Sequence, residues 1–222
     1  MKPIVYELIR KDWELNRVAV GAGIVLGILA IGITFFGGTV PAVIGVVCFY
    51  SVMCVLGSIL PKNIYEERKN QTMAFIMSLP VSAIEYTIAK MISTIGIFLV
   101  FWLTLVGVAA TMILTRKGIP DGLIPLMLVL SSLILLGFVL ICSVGMVQEN
   151  ESWVIATVIL VNVSYSLGWY LLIRIPEIGR DAFHPKIVWN PTLVTTLGVE
   201  FTLIALLLGL TVFLQTRKRD FI

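Results

Sequence analysis

The residues able to do chemistry are few and scattered. The densest group is Glu66, Glu67, Arg68 and Lys69, two acids followed by two bases in a chain where charge is scarce. Glu200 stands alone in the apolar run Thr192–Thr216. A charge in hydrocarbon is costly and by default marks function. Three readings of it stand: a place in a transport pathway with Asn162, a span that begins only near Phe201, or a protonated carboxyl in a structural hydrogen bond. His184, the only histidine, has Glu177 and Asp181 nearby in sequence, which is a poor metal set. Cys48, Cys54 and Cys142 all fall in apolar runs without metal-ligand spacing and read as small packing residues. No G-x-S-x-G, H-E-x-x-H or paired intramembrane carboxylates occur. Glu66-Glu67 would suit an E-E-x-x-x-R protease pattern, but position 71 is Gln. No G-x-x-x-x-G-K-[ST] loop exists to cradle ATP phosphates. The expectation is therefore a chain that is not an enzyme and binds no metal, cofactor or nucleic acid.

What positions these residues is a membrane. Of the 222 residues 59% are hydrophobic and only 13% charged, with a mean hydropathy of +1.02; the charged share is about half that of an ordinary soluble domain. A bilayer core asks for about 20 apolar residues per helix. Residues 18–36, 41–60, 91–115, 123–147, 153–173 and 192–216 qualify, and all but the last are free of charge. The expected fold is all-α and integral to the membrane, a single domain of six transmembrane helices over 1–222. The segment Met1–Arg17 carries acids and bases throughout, unlike a signal peptide. Six spans put both termini on one side. With the 61–90 connection, that side holds eleven of the sixteen basic residues. The positive-inside rule makes it the cytoplasm, leaving 174–191 as an external loop.

On a helical wheel Ile4, Val5, Leu8, Ile9, Trp13 and Leu15 share one half of residues 1–17, while Tyr6, Glu7, Arg10, Lys11, Glu14 and Arg17 share the other. Asp12 and Asn16 interrupt the apolar half. The pattern predicts an interfacial elbow helix that precedes the first span. Ala19, Gly23 and Gly27 then recur every fourth residue. Small residues at that spacing let two backbones approach, within one chain or across a dimer.

The longest connection, 61–90, reads PKNIYEERKNQTMAFIMSLPVSAIEYTIAK. Tyr65, Thr72, Ile76 and Leu79 line one side of a helix in its first half. Pro80 disfavours helical geometry at Leu79. Ser82, with Glu85 three residues on, can cap a second helix that runs through Lys90 into the third span. A short helix, a sharp turn and a rigid entry into the membrane could transmit a push from a partner; the plain alternative is a solvated connector.

This loop resembles that of ABC-2 type transporter permeases. The likeness rests on Glu66-Glu67-Arg68-Lys69, Met73-Ala74-Phe75, Ser78-Leu79-Pro80-Val81-Ser82, Glu85 and Lys90. The opening Leu8-Ile9-Arg10-Lys11-Asp12-Trp13 is similar to the family's basic elbow, and length and span count also agree. The small size is similar to permeases of bacterial peptide-toxin exporters, such as those for phenol-soluble modulins.

The resemblance implies a permease subunit of a bacterial ATP-driven exporter in the cell membrane. It would work as a homodimer, or paired with a related permease, beside two copies of a separate cytoplasmic ATPase that binds ATP and Mg. Tyr65 to Met77 would be the coupling helix. Its ATPase-facing residues would include Tyr65, Glu66, Glu67, Arg68, Lys69, Met73 and Ile76, with Pro80 shaping the turn. The segment before the last span would fold back and cap the outer mouth. The apolar spans suit an amphipathic peptide, drug or lipid-like cargo. A non-transporting scaffold or immunity component is the competing class, with an intramembrane enzyme well behind.

Overall fold

The computed structural model describes residues 3–36, 38–62, 64, 83–116, 118–148 and 150–217. Seven helices run through them: α1 (Pro3–Thr34), α2 (Thr39–Ile59), α3 (Ala83–Thr115), α4 (Leu123–Val147), α5 (Glu151–Arg174), α6 (Pro176–Ala182) and α7 (Pro191–Arg217). All but α6 are long and apolar enough to cross a membrane. The chain is an all-α, multi-pass membrane protein.

Local chemistry sets the helix ends. Proline stands in the first turn of α2, α4, α6 and α7, where its missing N–H costs nothing. Asn150 caps α5 by accepting from the Ser152 amide at 2.9 Å. Beyond α3, Gly118 takes a φ of +105° and turns the chain back, a conformation that side chains resist. α3 runs from Ala83 through Lys90 into the span; Ser82, the expected cap, lies outside the described residues.

The elbow departs from expectation. Residues 1–17 were to form an interfacial helix before a separate span, but α1 is one unbroken helix of 32 residues. No proline or glycine interrupts it between Ile4 and Val20, so nothing ends the hydrogen-bond ladder. A single buried stripe, Asp12, Asn16, Val20, Gly23, Gly27 and Ala30, runs along its length. The polar residues that interrupt the wheel's apolar half belong to that stripe. Trp13 and Leu15, counted to the apolar half, are exposed.

α4 is the centre of the bundle, packed on α2, α3, α5, α6 and α7, while α1 packs on α2 and α3. Phe98 of α3 stacks on Phe138 of α4 with centroids 4.0 Å apart, and the Trp102 indole donates to the Ser131 carbonyl at 2.8 Å. The outer faces of α5 and α7 present large apolar side chains such as Leu160, Leu167, Leu206 and Phe213. Lipid accepts such faces where water would not.

The small-residue stripe on α1 is filled from within the chain. A Cβ added at Gly23 would come within 2.7 Å of Leu56 on α2, and one at Gly27 within 2.6 Å of Leu105 on α3; Ala19 lies at the stripe's half-buried edge. A close approach of backbone to backbone lies beside it, between α1 and α2. A Cβ on Gly45 of α2 would meet the Thr34 backbone nitrogen at 2.6 Å and the Ala30 carbonyl at 2.7 Å.

Candidate functional site

The coupling residues Tyr65, Glu66, Glu67, Arg68, Lys69, Met73, Ile76 and Pro80 lie outside the described residues. What the structure gives is the root of their loop. At α2's end Leu60, Pro61 and Ile64 are buried, which anchors the chain as it leaves the bundle. At the return, α3 carries Lys90 and Ser93 one helical turn apart, facing Asp12 of α1. Lys90 Nζ donates to Asp12 Oδ1 at 2.9 Å and Ser93 Oγ donates to Asp12 Oδ2 at 2.6 Å. Both charged side chains are nearly sealed, with 5% and 7% exposure for Lys90 and Asp12. Asn16, one turn on, donates from Nδ2 to the Asp12 carbonyl at 2.8 Å.

Burial makes this contact consequential. Two ions out of water each lose several kcal/mol of hydration, about what their attraction returns. Such a pair therefore adds little net stability but fixes register strongly, since sliding either helix would strand a charge. The position also matters. At 1.5 Å per residue α1 is about 48 Å long, against a hydrocarbon core of roughly 30 Å. The last 20 or so residues of α1 suffice to span, which leaves Asp12 and its partners at the membrane boundary on the terminus side. Two long helices are pinned there, directly where the 61–90 loop re-enters.

A second set of polar contacts runs between α4 and α7. Glu200 sits ten residues into α7, is only 5% exposed and accepts from Ser132 Oγ. The helix therefore begins well before Phe201, at Pro191, and Glu200 faces the protein interior from within it. Gln215 Nε2 donates to the Met146 carbonyl, while its Oε1 and the Ser143 hydroxyl are buried without a partner among the described residues. Asn162 is not part of this seam. It lies on α5 and donates to Val158 of its own helix at 2.8 Å. It lines a separate cleft of about 140 Å³ with Tyr165, whose hydroxyl is buried without a hydrogen-bond partner among the described residues. The structure thus gives the two candidate pathway residues different neighbours.

At the opposite end, α6 folds back against α4 and α5 with Ile178 and Ala182 buried. The Gly122 amide donates to the His184 carbonyl at 3.1 Å. Glu177 and Asp181 both accept from Asn190 Nδ2, at 3.4 and 3.2 Å. These acids hold the segment's own turn together, and His184 Nδ1 accepts from the Lys186 amide at 3.2 Å.

On the helical wheel Asp12 and Asn16 stand only as interruptions of an apolar face, and nothing in the sequence sets Ser93, Ser132 or Gln215 apart from other polar residues in the spans. The usable signal was spacing: two polar residues four apart on an otherwise apolar helix face mark a buried polar contact more readily than a lipid-facing one.

A family model described as ABC-2 family transporter protein matches residues 21–172, more than half of the chain. The chain belongs to the ABC-2 transporter family. The matched region contains Lys90, Ser93, Ser132 and Asn162 and stops short of Asp12 and Glu200 on either side. No curated protein and no solved structure matches the chain. Membership makes it a membrane transporter subunit, the transmembrane and non-catalytic part of a system whose members generally pair with an ABC ATPase.

Proposed function

We propose that this chain is the permease of an ATP-driven exporter, and that its 61–90 loop receives the force of ATP binding from a separate ATPase. The observation that carries the reading is the sealed Asp12–Lys90–Ser93 contact at the loop's return. A connector with no mechanical duty needs no ion pair at its root. A loop that is pushed does need one, because the pair makes α1 and α3 move together. In this reading Tyr65–Met77 docks on the ATPase, with Glu66, Glu67, Arg68 and Lys69 setting register. ATP and Mg reside on that partner. Two permease chains, identical or related, stand with two ATPase chains in the cell membrane of a bacterium. The basic bias of the terminus side supports cytoplasmic termini and a cytoplasmic loop. An amphipathic peptide, drug or lipid-like molecule is the proposed cargo, moved outward; a phenol-soluble-modulin-type peptide is the narrowest version.

Coexpression tests the assembly. A detergent-solubilised complex of two permease and two ATPase chains is the expected result when the chain is expressed with an ABC ATPase encoded beside it. A lone chain that recovers no ATPase, across tagged ends and mild detergents, would favour the scaffold or immunity reading.

A further inference from the structure

Between the ends of α1 to α4 farthest from the termini lies a cavity of about 580 Å³. That size falls among sites that hold small amphipathic molecules, about 300–1,000 Å³. Its walls are almost wholly apolar and include Ile31, Val46, Phe49, Ile113, Leu126 and Leu130. Along α2 the lining runs from Gly38 to Tyr50, a rise of about 18 Å at helical pitch. One leaflet of hydrocarbon is half of roughly 30 Å, so the cavity is about one leaflet deep.

Its mouth is polar. Arg116, Gly118, Ile119 and Pro120 line both the cavity and a shallower crevice that adds Thr115 and Asp121. The Arg116 guanidinium stands over the Phe35 ring, 5.3 Å from its centroid. Among the described residues no carboxylate lies within ion-pair distance of it. An exposed guanidinium presents a planar fork of donors that matches phosphate oxygens. An apolar chamber one leaflet deep with a cation at its lip complements a hydrocarbon chain ending in a phosphate.

We infer that this cavity holds one acyl chain of a membrane phospholipid, with the lipid's phosphate on Arg116. The position fits the occupant. Arg116 follows the last residue of α3 at the membrane boundary, where phosphates lie, and the chamber descends from there into the hydrocarbon zone. Asp121 lines the same crevice and faces the polar end of the headgroup. The lipid would wedge the four helix ends apart at a fixed spacing. This inference rests on the fold and is independent of the direction or cargo of transport.

The test uses the full chain. The protein is purified in mild detergent, offered phosphatidylglycerol, phosphatidylethanolamine or diacylglycerol of identical chains, and weighed by native mass spectrometry. One phospholipid of either head is expected to stay bound, and diacylglycerol to wash away. Arg116→Gln should cut phospholipid retention about tenfold or more, the scale of one charge-assisted hydrogen bond. Val46→Trp, which fills the chamber, should abolish it. The unmodified protein supplies a readout that needs no variant. A phosphatidylglycerol with a photoreactive group in its acyl chain should crosslink to the α2 and α4 walls of the cavity. Diacylglycerol retained as well as phospholipid, unchanged retention in Arg116→Gln, or crosslinks confined to the outer faces of α5 and α7 would each overturn the assignment.

Discussion

Replacing Lys90 by methionine removes one ion and leaves the other. At 2.9 Å and an effective dielectric of 20, the attraction between the two charges is about 6 kcal/mol. The hydration that each ion gave up offsets most of this in the intact pair. In Lys90→Met the offset fails, because Asp12 stays buried and, among the described residues, Ser93 is the side chain left to donate to its carboxylate. The expected loss of stability is about 3 to 5 kcal/mol, read as a lowered melting temperature in detergent. Asp12→Leu with Lys90→Met removes both ions, and should return stability to within about 1 kcal/mol of the parent. Function should not follow. An apolar contact lets α1 and α3 slide, so the double variant should keep its ATPase on copurification yet hydrolyse ATP poorly in reconstituted vesicles. A double variant that melts and hydrolyses like the parent would refute the reasoning, leaving the pair as packing alone. A single Lys90→Met that melts like the parent would refute its electrostatic half.

If Glu67 and Arg68 dock on an ATPase as proposed, reversing both signs should leave the melting temperature nearly unchanged and lose ATPase copurification, since charges in a solvated loop would contribute little to stability but would set interface register. Pro80→Ala should keep the ATPase bound and reduce hydrolysis in vesicles, because it would let the two helices that the sequence predicts on either side of Pro80 merge. Gly45→Ala should destabilise more than Gly27→Ala, by about 1 to 3 kcal/mol, since the new methyl meets Thr34 and Ala30 backbone atoms rather than the movable end of Leu105; comparative melting decides. Ser132→Ala should cost only about 0.6 to 2 kcal/mol by the same measurement, the range of hydrogen bonds between membrane helices. In a variant lacking Cys48, Cys54 and Cys142, cysteines at Gly118 and Gly179 should react with an impermeant reagent from outside, and one at Asn70 only from within.

Spans were easy to read because lipid leaves little choice: a run such as Leu123–Val147, with no charge in 25 residues, is a crossing helix whatever its neighbours. The prolines in the first turns of α2, α6 and α7, Pro41, Pro176 and Pro191, sit where local steric rules put them without any tertiary knowledge. The elbow failed for a related reason. Its wheel was scored for apolarity, as a helix floating at an interface would be, but the face of α1 that matters packs against protein. There Asp12 is worth more than Trp13, because Lys90 sits 78 positions away and no local pattern announces that meeting. Glu200 was visible as an anomaly from composition. Its partner Ser132 was not, since a serine in a span looks the same whether it bonds to its own helix or to the next. The pairing of Gly23 and Gly27 with Leu56 and Leu105 was equally out of reach, because small-residue spacing states that something comes close and not what.

The great length of α1 and α3 has a geometric consequence. Each is a stiff rod of 32 or 33 residues, fastened to the other near one end at Asp12 and Lys90. From Asp12 to Thr34 the α1 rod measures about 33 Å. A tilt of about 5° around that fastening, too small to break a hydrogen bond there, swings the far tip by about 3 Å. The tips are Thr34 and Arg116, on the rim of the lipid-sized cavity. Because α1 also packs on α3 further along, with Gly27 against Leu105, such a tilt would carry both rods together, and a push at the root of the loop would reach the cavity rim as a single motion.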